Sequence, residues 1–120
     1  MNRKSGPHFT AVDLGPLSQL EQYTYQHPLL PRATDGKVFL NQLLGLTSSE
    51  ISVNKLPPRT SMPFYHTHRV NEEIYLFVKG EGEFQIDGKV FPIQEGTVIR
   101  VAPDGERCWR NTSDTDSLYY

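Results

Sequence analysis

The sequence predicts an all-β domain, a double-sheet jelly roll or a closed barrel, with an irregular N-terminal arm ahead of it. Three observations carry this. From Lys37 onward, short β-rich runs alternate with Gly, Pro and Asp-Gly punctuation, at the spacing of roughly 8–12 residues typical of antiparallel sandwiches and barrels. Asp87-Gly88 is a dipeptide suited to a two-residue hairpin of type I′, in which both central residues need φ > 0. A chain of 120 residues, 37% hydrophobic, suits one domain better than two.

Taken in order, residues 1–36 form the arm. Pro7, Gly15, Pro16, Pro28, Pro31 and Thr34-Asp35-Gly36 punctuate it, and a short helix is expected over 17–25. Phe9, Leu14, Leu17 and Leu20 give it enough apolar surface to pack on its own barrel or on a partner. The barrel occupies 37–120. Strands are expected at 37–43, 49–56, 63–67, 73–79, 82–87, 89–93, 97–102 and 107–111. A further strand opens at Ser117, where the chain stops three residues later. Glycine-supported turns are expected at Lys79-Gly80-Glu81-Gly82 and at Pro103-Asp104-Gly105.

Composition narrows the function classes. With 12 Lys and Arg against 14 Asp and Glu, the net charge is -2. No basic run tracks a phosphate backbone, so nucleic acid is not an expected partner. No stretch approaches the ~20 apolar residues of a membrane helix, and no apolar segment follows the basic Arg3-Lys4 as in a secretory signal. The lone cysteine, Cys108, rules out an internal disulfide and agrees with a reducing cytoplasm.

The informative segment is Pro63-Phe64-Tyr65-His66-Thr67-His68-Arg69-Val70-Asn71-Glu72-Glu73. His66 and His68 stand two apart, so a strand turns both side chains to one face. A turn at 69–71 then leads into the next strand, bringing the Glu73 carboxylate back over the two imidazoles. Two histidines and a carboxylate with open positions opposite suit a catalytic Zn²⁺ or a 2-His-1-carboxylate iron site. An H-x-H pair alone also describes exposed or core-satisfied histidines. Desolvated together with a carboxylate, however, the pair calls for a compensating cation.

Residues 66–80 resemble the first motif of the cupin superfamily: H-x-H, four residues, Glu73, six residues, Gly80. Gly96 through Pro103-Asp104-Gly105 to Asn111 is similar to the second motif. The resemblance covers about residues 37–120. It implies a cupin-type double-stranded β-helix, or jelly-roll barrel, holding a divalent metal (Fe, Mn, Zn, Ni or Co) through His66, His68 and Glu73. It also implies a small-molecule ligand and a homodimer. Two positions depart from the pattern. The glycine that usually opens the first motif is Arg59 or Thr60 here, and the usual third histidine, counted from Gly105, falls on Cys108. Cys108 is accordingly read either as a fourth ligand, as thiolate, or as a small buried apolar residue.

Strand alternation sorts the remaining candidates. Phe64 shares a face with His66 and His68, and Tyr75 and Phe77 share one with Glu73. Glu72 points outward to solvent, and Tyr65 lies opposite His66. On the late strand Cys108 and Arg110 share one face and Arg107 and Trp109 the other. Arg110 is thus the cation expected beside the metal, as a clamp for a substrate carboxylate or phosphate, the alternative being a surface arginine paired with an acid. Trp109 is expected in packing, Tyr75 is a candidate proton donor, and His8 and His27 are surface residues. Two functions stand side by side. One is a metal-dependent enzyme of the dioxygenase or isomerase class acting on a small polar or anionic substrate. The other is a non-catalytic ligand-binding or sensor module, with a structural barrel carrying a relic site behind both.

Overall fold

The computed structural model describes residues 2–63, 65, 67 and 70–120. They fall into two compact units, Met1–Lys55 and Leu56–Tyr120.

The first unit begins with an antiparallel hairpin of β1 (Asn2–Gly6) and β2 (Phe9–Asp13), in register from Asn2↔Asp13 to Gly6↔Phe9. No strand is expected from the sequence in this arm; Pro7-His8 nonetheless forms a two-residue loop between runs that pair fully. A 3₁₀ helix follows over Leu17–Gln22, shorter than the expected 17–25, and buries Leu20 completely. The two-residue strands β3 (Thr24–Tyr25) and β4 (Thr34–Asp35) pair with each other. β5 (Lys37–Phe39) pairs with β6 (Ser52–Leu56) through Lys37↔Asn54, Val38↔Val53 and Phe39↔Ser52. The strand expected over 37–43 stops at Phe39, because a single helical turn, α1 (Asn41–Leu44), takes over. Gly45 ends it in the left-handed conformation, φ 69°, with its N–H on the Asn41 carbonyl.

The second unit is a pair of facing antiparallel sheets. One has the order β11 (Arg107–Asn111), β8 (Glu81–Ile86), β9 (Lys89–Gln94); the other pairs β7 (Glu73–Leu76) with β10 (Val98–Val101). Asp87 (φ 49°) and Gly88 (φ 82°) close the β8–β9 hairpin, as the sequence predicts. Gly82 is required where β8 passes β11: a Cβ there would stand 2.2 Å from the Arg110 carbonyl oxygen. The terminal β12 (Leu118–Tyr119) bridges back to Lys79 through Tyr119. The expected strand over 63–67 falls partly on Phe64 and His66, which lie outside the described residues. Arg59 explains how the first motif manages without its glycine: its backbone takes the left-handed conformation itself, φ 57°.

Between the sheets lies an aromatic core of Tyr75, Phe77, Phe84 and Trp109 with Leu56, Ile93, Val101 and Leu118. Phe84 stacks on Trp109 at 5.7 Å and meets Tyr75 edge-on at 5.2 Å. Truncating so central a ring leaves a cavity that its rigid neighbours cannot fill. Phe84→Ala is expected to destabilise the protein by about 3–5 kcal/mol, measured by urea unfolding with the slope unchanged.

Burial pushes the Tyr120 hydroxyl up to about 12 from its ordinary 10.0, with a hydrogen bond to Trp109 pulling the other way. The folded state therefore holds this proton more tightly than the unfolded chain. Its stabilising contribution is complete below pH 10 and disappears as pH rises towards 12. Urea midpoints should fall between pH 9.5 and about 11.5, less steeply in Tyr120→Phe; an equal fall in both would remove Tyr120 as a source.

Candidate functional site

Glu73 opens β7 opposite Val101 of β10, and alternation carries Tyr75 and Phe77 to the same inner face. The Glu73 side chain is 34% exposed, whereas Arg107, facing it from β11, is 0% exposed. Among the described residues, Arg107 is the sole charged side chain that is buried. Its Nη2 donates to Glu73 Oε1 at 2.7 Å and its Nε to the same oxygen at 3.2 Å. The Tyr75 hydroxyl donates to that oxygen too, at 2.6 Å, and accepts from Arg107 Nε at 3.3 Å. Arg107 Nη1 donates to the Gly105 carbonyl. Guanidinium, phenol and carboxylate thus form one closed cluster at the end of the sandwich.

The ionisation states follow from this. Desolvation works to lower the Arg107 pKa, but the hydrogen bonds to Glu73 and Tyr75 and their charges more than offset it, leaving it raised. Burial, and then the hydrogen bond to the Glu73 carboxylate, push the Tyr75 hydroxyl well above its ordinary value. Tyr75 is therefore a fixed hydrogen-bond donor to Glu73; the proton-donor role expected for it would require breaking that bond.

The late strand turns its other face inward. Arg107, Trp109 and Asn111 are buried while Arg110 is exposed, with its Nε on Glu83 Oε1 at 2.8 Å. The expectation that Arg110 lies beside the metal is corrected: it is a surface arginine paired with an acid across β8. The inward cation is Arg107, which sequence reasoning set on the outside. Trp109 was the available signal, since the face carrying the bulkiest apolar side chain is the core face. Cys108 follows Arg110 away from the carboxylate; its half-buried thiol contacts the Met62 carbonyl at 3.6 Å, and burial raises its pKa. These observations favour a packed thiol over a ligating thiolate. Glu72 is outward, paired with Arg100 at 2.8 Å.

His66 and His68 lie outside the described residues, and among the described residues no three His, Cys, Asp or Glu side chains gather into a metal cluster. The described part of the donor set can still be tested against a divalent cation. Glu73 points inward, partly accessible, and its Oε1 accepts from the Tyr75 hydroxyl and Arg107 Nη2, as ligating carboxylates are usually hydrogen-bonded. That fits a ligand. Arg107 also supplies the compensating cation that the desolvated carboxylate was expected to demand of a metal. Surface concavities of about 370 and 530 Å³ lie elsewhere, and neither is lined by Glu73.

With the two sheets and the Glu73 cluster in place, comparison with known proteins gives the class. A cupin-domain family model matches residues 52–120, more than half of the chain, and the protein belongs to the cupin family. A cupin protein from Bacteroides fragilis superposes with a TM-score of 0.66 at 40% identity, covering 79% of each chain. A predicted oxalate decarboxylase from Thermotoga maritima superposes with a TM-score of 0.52 at 35% identity, covering 57% of this chain and 58% of that one. The oxalate-binding protein of T. maritima is 39% identical over 62 residues, 52% of this chain and 50% of that protein. The chain spans half or less of the length of the curated relatives it matches.

A double-mutant cycle tests the cluster directly. Glu73→Gln leaves a buried guanidinium without its counter-charge and should cost about 3 kcal/mol, as should Arg107→Met for the converse reason. The double variant should cost less than the two added, with a coupling of about 1–3 kcal/mol given the partial exposure of Glu73. Additive costs would mean that the pair does not act as a unit.

Proposed function

We propose that the protein binds a small anionic molecule at a divalent metal held by His66, His68 and Glu73. The observation that carries this reading is the Glu73 carboxylate, turned to the inner face and fixed there by Arg107 and Tyr75. In sequence it follows an H-x-H pair whose types and spacing suit Fe, Mn, Zn, Ni or Co. The metal, when bound, supplies a Lewis acid for an anionic oxygen. The chain's own residues do the rest: Arg107 and Tyr75 hold the Glu73 carboxylate in place, and Phe77, Phe84 and Trp109 pack the cluster's inner side. Relatives described as an oxalate-binding protein and a predicted oxalate decarboxylase make oxalate the first ligand to try. Binding ranks ahead of turnover because Tyr75, the candidate proton donor, is committed to Glu73.

We take the protein to be a cytoplasmic homodimer. In support of the dimer, the outer face of β7 and β10 exposes Ile74, Leu76 and Val98 side by side.

Tag-free protein should carry about one divalent metal per chain by plasma mass spectrometry, lost in the His66→Ala, His68→Ala double variant. Oxalate should raise the Tm of the loaded protein and leave the stripped protein unmoved. Oxygen uptake or isomer formation on loading would extend the reading to an enzyme. No metal after exposure to Fe, Mn, Ni, Co or Zn would sink it.

A further inference from the structure

We propose that the first unit carries a binding site of its own, for a neutral sugar ring, in the 530 Å³ concavity lined by β3, β5 and α1. All of its lining residues fall within 23–50, so it stands independently of the Glu73 cluster and of any metal. Its volume falls within the roughly 300–1,000 Å³ of small-molecule sites. Its apolar part is a corner of two half-buried rings. Tyr25 and Phe39 meet edge-on, with ring centres 4.8 Å apart at 67°, a geometry in which each ring fixes the other. Strand pairing holds both from behind, Tyr25 opposite Thr34 and Phe39 opposite Ser52. Lys37 Nζ, bonded to Asn54 Oδ1 at 2.8 Å, lies 4.9 Å from the centre of the Phe39 ring. The face that a cationic ligand would seek is thus taken by the protein's own ammonium.

The rim is polar and partly fixed. Glu50 Oε1 accepts the backbone N–H of Asn41 at 3.2 Å and that of Ile51 at 3.1 Å. These two bonds hold the carboxylate in place, while its Oε2 has no hydrogen-bond partner among the described residues. The side-chain amides of Asn41 and Gln42 and the Tyr25 hydroxyl likewise have none there. A carboxylate only accepts, so whatever meets Glu50 must donate, whereas amides and a phenol do both. An anion is repelled by Glu50, and a cation finds the Phe39 face occupied. A planar heterocycle would cover the rings but brings few donors to the rim. A pyranose meets every demand: its C–H face lies on Tyr25 and Phe39, and its hydroxyls donate to Glu50 and exchange hydrogen bonds with Asn41 and Gln42.

The test is titration of full-length ¹⁵N-labelled protein with glucose, galactose, mannose and xylose, followed by amide chemical shifts. At least one sugar should move the Phe39, Asn41, Gln42 and Ile51 amides saturably, with a Kd on the order of 1 mM. Glu50→Gln should weaken that binding by about tenfold or more, because a charged acceptor makes the strongest hydrogen bond on the rim. Gln42→Ala removes an exposed side chain with no hydrogen bond to lose in the fold, and should weaken it by about threefold or more. Glu81→Gln, in the other concavity, should leave it unchanged. Adenosine, choline and acetate stand for a heterocycle, a cation and an anion, and should move these amides less than the sugar does. No saturable shift from any of the four sugars overturns the proposal, as does a larger response to one of the other three probes. Undiminished binding in Gln42→Ala and Glu50→Gln overturns it too, and Gln42→Ala decides alone if Glu50→Gln does not fold.

Discussion

A guanidinium with no exposed surface sits between the two sheets of the second unit, and one carboxylate makes that possible. Burying an arginine alone is among the most unfavourable things a small fold can do. Glu73, with the Tyr75 hydroxyl and the Gly105 carbonyl, satisfies it from β7, from β7 again and from the turn before β11. The interaction ties the opening of β7 to the opening of β11, and those strands belong to different sheets. It also fixes which face of β11 is inside, and so sends Cys108 and Arg110 outward.

The other end of β11 is anchored in a related way without charge. The Asn111 side chain, 2% exposed, donates to the carbonyls of Leu56, Pro57 and Asp116 and accepts the Ser113 N–H at 2.9 Å. Every polar atom of a buried amide is thereby engaged, which is what allows it in a core. Between the two anchors Trp109 packs against Phe84, Tyr75 and Tyr120. β11 therefore carries a charge anchor, an aromatic wedge and an amide anchor at alternate positions, and the apolar core is assembled against it.

Much of this was legible in the chain. The β8–β9 hairpin is announced by Asp87-Gly88, because few dipeptides tolerate two positive φ values. The inner face of β7 follows from the alternation of Glu73, Tyr75 and Phe77. The β1–β2 hairpin was hidden because Pro7 read as punctuation, while its pairing depends on a partner strand that local composition does not reveal. α1 was hidden because Gly45, an αL cap, is short of context in a run of apolar residues. The face of β11 was misread for a sharper reason. Counting a family pattern from Gly105 set the inside at Cys108, although the physical preference of Trp109 for a core and the pairing of Arg110 with Glu83 point the other way. Where a motif count and burial chemistry disagree, the cost of exposing an indole is the safer guide. His66 and His68 were legible from their spacing alone, and the structure adds the partners Arg107 and Tyr75 of the carboxylate that follows them in sequence.

The Arg107–Glu73 contact is the interaction on which the described cluster depends. Where Arg107 holds Glu73, one contact both aims the carboxylate and satisfies the buried guanidinium. The contact can be watched directly through the Arg107 Nε–H resonance in ¹⁵N-labelled protein at neutral pH. The account predicts an Nε–H shielded from exchange with water, slower by about a hundredfold or more than that of the exposed Arg110, and a return to fast exchange in Glu73→Gln. Exchange as fast as that of Arg110 in the unaltered protein would show that the guanidinium is not enclosed against Glu73, and the account of both the fold and the site would fail with it.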